Sequence, residues 1–146
     1  MLISDKFYAI NIREYLALGD DPEAGEPALV KLLSGFSCPK NLDVERFLKK
    51  SAIELTKKNQ SVTYVVISVK DGRYKEITGE ELIELAWMVI EEGQYRYGGM
   101  VTFLETENEE KLLSFYRVNR FSQFHTRQIT SDTDESHELV QLLRML

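Results

Sequence analysis

Cysteine is almost absent from this chain: Cys38 is the only one in 146 residues, so no disulfide can close within it. A reducing, cytoplasmic setting is expected. The stretch Phe36-Ser37-Cys38-Pro39 holds no histidine to lower a thiol pKa. Cys38 therefore reads as a buried or half-buried structural residue, not a nucleophile. Histidine is nearly as scarce. His125 and His137 flank a polar stretch with no His-x-x-Glu-His or Cys/His spacing, so no metal site is expected. Positive charge is in deficit: 18 Lys and Arg stand against 24 Asp and Glu, a net charge of −6. That balance argues against a broad nucleic-acid-binding surface. No apolar run approaches the roughly 20 residues that span a bilayer. The opening MLISDKFYAINIREYL lacks a basic stretch followed by an apolar one. A soluble protein without a membrane partner is expected. Gly-x-Ser-x-Gly, a Walker loop and a dinucleotide fingerprint are missing too.

What is present is an ordinary globular composition, 43% apolar and 29% charged, and its length predicts one domain over 1–146. Residues 7–18 read as a short helix with Phe7, Ile10, Tyr15 and Leu18 on one face. Gly19-Asp20-Asp21-Pro22 breaks it. Residues 28–33 suit a strand or a helix equally. A clear helix opens at Asn41-Leu42-Asp43, with Asp43 as its cap. Val44, Phe47, Leu48, Ala52, Ile53 and Leu55 give it an apolar stripe, and four lysines fall late in it. SVTYVVISV, residues 61–69, is β-branched and apolar on both faces in its middle, which predicts a strand in the centre of a sheet. Lys70-Asp71-Gly72-Arg73 predicts a tight hairpin turn, and 74–77 a short returning strand. Thr78 with Glu81 forms a capping box ahead of a helix over 79–94. A strand over 100–105, a helix over 109–118 and a strand over 121–128 follow. Residues 129–136 read as a mobile polar loop. The final ELVQLLRML, residues 138–146, suits a strand or a short helix, and its periodicity slightly favours the helix.

Two blocks carry a family resemblance. The first is LLSGFSCPKNLDVERFLKK at 32–50, followed by SVTYVVISV. The second is ITGEELIELA at 77–86, followed by GGMVTFLETENEEKLLSFYRVNRF at 98–121. They resemble the GNAT superfamily of N-acetyltransferases, in a bacterial-type subgroup related to toxin–antitoxin acetyltransferases. The first block is similar to its N-terminal half. The second is similar to its third helix, fifth strand, fourth helix and sixth strand.

The resemblance implies an α/β (α+β) fold: a shortened GNAT-like mixed sheet flanked by helices on both faces. It implies a transferase, an acyltransferase using acetyl-CoA, in which a substrate amine attacks the thioester directly. Backbone amides of the 100–105 strand would polarise the carbonyl. Tyr116 would protonate the departing thiolate. Thr78, Gly79, Asn108 and Phe115 would meet the cofactor. Each has a plainer reading. Tyr116 suits a half-buried position on an amphipathic helix beside Leu112, Leu113 and Phe115. Asn108 suits a helix cap. Arg120 stands where the family has glycine, so either Asn119 takes the positive φ or the turn differs. Arg117, Arg120 and Arg127 either gather around a CoA 3′-phosphate or an acidic partner, or are ordinary surface charges.

The chain also departs from the family. It runs from Asp71-Gly72 to Gly79 within a few residues, so two central strands and the Q/RxxGxG/A pyrophosphate loop are missing. Glu80 and Glu81 put negative charge where a pyrophosphate would meet the helix dipole. Two functions are therefore carried forward: an N-acetyltransferase, or a non-catalytic GNAT-derived interaction or dimerisation protein. In the second, strand edges at 61–69 and 100–105 pair with each other or join two copies as a homodimer.

Overall fold

A computed structural model describes residues 2–3, 6–70, 73–74, 76–130 and 136–146. The chain divides into two compact units, Met1–Thr78 and Gly79–Leu146.

In the first unit, β1 (Leu2–Ile3), β2 (Tyr8–Asn11) and β3 (Tyr64–Ile67) make an antiparallel sheet in the order β1-β2-β3. Residues 7–18 are thus not one helix but β2 followed by α1 (Ile12–Leu16). Asn11 divides them. It is extended, and its side chain accepts from the Arg13 amide at 3.0 Å, a cap that starts a helix and cannot sit inside one. Upstream of it, the backbone pairs with β3 from Tyr8↔Ile67 to Asn11↔Tyr64.

A tight loop follows. The Asp21 carboxylate accepts from the amides of Glu23 and Ala24 at 2.8 and 3.0 Å, and the Gly19 carbonyl accepts from Glu26 at 2.8 Å. Residues 28–33 resolve as helix, inside α2 (Glu26–Ser34). The next helix runs through α3 (Leu42–Arg46), a single π turn (Phe47–Ser51) and α4 (Ala52–Lys57). Its cap is Asn41, not Asp43: the Asn41 side chain accepts from the Val44 amide at 3.1 Å. Ile12, Leu29, Leu33 and Ala52 form the core of this unit, with Leu48, Ile53 and Val65 against it.

SVTYVVISV does not take the central place its composition predicts. Its middle, Tyr64–Ile67, is a short strand at the edge of its sheet, half-buried throughout. Its partner β2 is four residues long and turns into α1, so the ladder ends at Asn11↔Tyr64. After it, β4 (Val69–Lys70) and β5 (Arg73–Tyr74) pair antiparallel. The turn residues Asp71 and Gly72 between them lie outside the described residues.

The second unit opens with α5 (Gly79–Tyr97), which starts where the sequence predicts and runs past Gln94. Then come β6 (Val101–Glu107), α6 (Glu110–Val118), β7 (Ser122–Thr130) and β8 (Ser136–Met145). The sheet order is β6-β8-β7, antiparallel at both joins. ELVQLLRML is therefore a central strand and not a helix. Its inward residues Val140 and Leu142 are buried against Leu113 and Phe121, with Ile83, Leu104 and Tyr116 around them. Of the predicted loop at 129–136, residues 131–135 lie outside the described set, while Ile129, Thr130 and Ser136 belong to the strands. The expected mixed α/β class holds, and every described strand pair is antiparallel. No described helix is long and apolar enough to cross a membrane.

Candidate functional site

The candidate residues centre on α6, an amphipathic helix that buries Leu113 and half-buries Leu112, Phe115 and Tyr116 while Arg117 and Val118 face water. Its C-terminus is closed by a Schellman arrangement. The Phe121 amide donates to the Tyr116 carbonyl and the Arg120 amide to the Arg117 carbonyl, both at 3.0 Å. Such a closure needs a left-handed residue between helix and strand. That residue is Arg120, with φ of +66°, while Asn119 keeps an ordinary φ of −84°. The positive φ thus falls on the position where the family has glycine, and an arginine bears it. The Asn119 side-chain amide instead caps the helix by donating to the Phe115 carbonyl at 2.9 Å.

The closure folds Phe121 back under Tyr116. Their rings meet edge to face at 5.8 Å, and Phe115 meets Tyr116 the same way at 5.2 Å. Burial among these rings pushes the Tyr116 phenol above its ordinary pKa, because the apolar surround disfavours the anion. No described residue hydrogen-bonds its hydroxyl.

Gly79 lies against the Phe115 ring, where an added Cβ would come within 3.3 Å of Cζ. The structure thus brings Gly79, Phe115 and Tyr116 together. Asn108 stands apart, at the other end of α6. It is not the cap, which is Glu109, and its side-chain amide donates to a Glu138 carboxylate oxygen at 2.6 Å. Thr78 is exposed, at the end of the first unit. The first turn of α5 carries Glu80 and Glu81.

The three arginines read as a possible cluster take separate partners. Arg117 pairs with Glu110 at 2.8 Å and Arg127 with Glu105 at 2.9 Å. Arg120 lies instead within electrostatic reach of Arg144.

Arg144 is the residue that sequence reasoning passed over. It extends from β8 with its guanidinium 3.7 Å above the Trp87 ring of α5 and donates to the Asn119 carbonyl at 3.2 Å. Trp87 in turn tilts against Phe121 at 6.1 Å. The available signal was a single charge inside the apolar run LLRML together with the sole tryptophan of the chain. No protein-family model and no curated protein matches this chain.

Proposed function

We propose that the chain is a descendant of the GNAT N-acetyltransferases that keeps their scaffold and works by association with a second copy of itself, not by acetyl transfer. The helix, strand, helix, strand order over 79–130 supports the descent. So does the meeting of Gly79, Phe115 and Tyr116. Two features oppose acetyl transfer. The start of α5 carries two carboxylates where an anionic cofactor would dock. The phenol that would act as acid is made weaker by burial.

The observation that carries the association is β6. It is seven residues long, pairs on one side only among the described strands, and leaves Val101 48% and Phe103 65% exposed. It holds no proline or lysine, two devices that keep an edge from pairing, and its charges, Glu105 and Glu107, lie in its second half, away from Val101 and Phe103. The opposite edge, β7, is interrupted by a bulge between Gln123 and His125 and carries Arg127. The edge strand β6 is therefore the one suited to a two-fold partner, since the same strand on two copies is self-complementary.

Light scattering at micromolar concentration should give a dimer, and Phe103→Lys should return a monomer. A wild-type monomer would remove the association. Titration of acetyl-CoA into the full chain should give no binding heat at millimolar ligand. Micromolar binding would restore the acetyltransferase reading, with Tyr116 as its acid.

A further inference from the structure

We infer that Arg120 and Arg144 form a binding site for a phosphoryl group at the C-terminal end of α6, beside Trp87. The inference is independent of the association through β6. The two side chains reach this place by different routes. Arg120 is the left-handed residue of the helix closure, a conformation that an arginine adopts only at a cost. Arg144 arrives from β8 and donates to the carbonyl of Asn119, the residue next to Arg120. The Arg144 guanidinium thus meets the backbone beside Arg120, and the two charges lie within electrostatic reach of each other.

Arg144 is held in place from two sides, by the Trp87 face and by the Asn119 carbonyl. Its fork is therefore ordered before any ligand arrives, which lowers the entropic cost of binding. Only one of its donors is committed to Asn119, and Arg120 is exposed with no hydrogen-bond or ion-pair partner among the described residues. The repulsion acts on the pair itself: burial and the Arg120 charge push the Arg144 guanidinium below its ordinary pKa, and Glu91 opposes them. A doubly charged phosphoryl group relieves that repulsion and accepts hydrogen bonds from guanidinium donors. The chain as a whole carries a net charge of −6, so general anion attraction is not its explanation.

Trp87 is the only tryptophan, so intrinsic tryptophan fluorescence reads this site alone. Inorganic phosphate titrated into the full chain should change that emission saturably, whereas chloride at matched ionic strength should not. Phenyl phosphate is the second probe. Tighter saturation by it assigns the site to a phosphoryl group carried on a larger molecule, and equal saturation assigns it to free phosphate. Arg120→Gln should raise the half-saturating concentration roughly tenfold while leaving the circular dichroism spectrum unchanged, since Arg120 is exposed. The absence of a saturable change at tens of millimolar phosphate would overturn the site. An Arg120→Gln variant that responds as wild type does would overturn it too.

Discussion

Arg120 shows how a single residue works against its own backbone. The closure of α6 demands a left-handed residue, and an arginine there costs about 1–2 kcal/mol relative to a relaxed conformation. Glycine avoids that cost but loses about 0.5–1 kcal/mol of backbone entropy. Arg120→Gly should therefore stabilise the chain by about 0.5–1 kcal/mol, read as a rise in the urea midpoint with an unchanged slope. A fall in the midpoint would mean that the Arg120 side chain contributes more than its backbone costs.

Tyr116 gives a second residue-scale expectation. Its hydroxyl has no described hydrogen-bond partner, so Tyr116→Phe should leave stability near pH 7 within about 0.5 kcal/mol. The pH dependence differs. Burial raises the folded phenol above the ordinary 10.0, so the unfolded phenol releases its proton first. Stability from this group is complete below that value and is lost as pH climbs through it toward the higher folded pKa. Wild type should thus lose stability more steeply than Tyr116→Phe above about pH 10 in thermal melts. Parallel curves would show that the ring is not desolvated in solution.

At the scale of the element, two positions decide whether local structure closes. A Cβ on Gly25 would collide with the Gly19 carbonyl oxygen, and that atom is backbone and cannot swing aside. Gly25→Ala should destabilise the first unit by about 2–4 kcal/mol, measured by chemical denaturation. In the second unit, Leu142 is buried on the central strand, between Leu104 of β6 and Gln123 of β7. Leu142→Ala should cost about 2–5 kcal/mol by the same measurement.

These elements were unevenly legible. α5 and α6 could be read because their apolar stripes and first-turn acids are local signals. β8 could not, because the spacing of Leu139, Val140, Leu142 and Leu143 satisfies a helix as well as a strand. Only the two flanking strands settle it. β2 was hidden for the same reason, its pairing with β3 lying more than fifty residues away in sequence. The candidate site was half legible. The family resemblance marked Phe115 and Tyr116, but nothing near them in sequence points to Trp87 or Arg144, which arrive from other elements.

At the scale of the whole molecule, association through β6 makes stability depend on protein concentration. A dimer that unfolds to separate chains gains about 1.4 kcal/mol per tenfold rise in concentration. The thermal midpoint of wild type should therefore climb with concentration, and that of Phe103→Lys should stay flat. A flat wild-type series would exclude a dimer as the folded state.

The sequence alone determined the class of the molecule. Charge balance, the single cysteine and the alternation of helical and β-branched segments are sums over residues and neighbours, and they need no partner to be read. It also determined where α5 begins, and placed the start of α6 to within one residue, since helix starts are set within a few residues. The tertiary structure decided which segments pair and which side chains meet. It put β8 between β6 and β7, left β3 and β6 at edges, and gathered Arg120, Arg144 and Trp87 at one end of α6. Strand pairing and side-chain contact join residues far apart in the chain, and no local pattern records a partner that lies in another element.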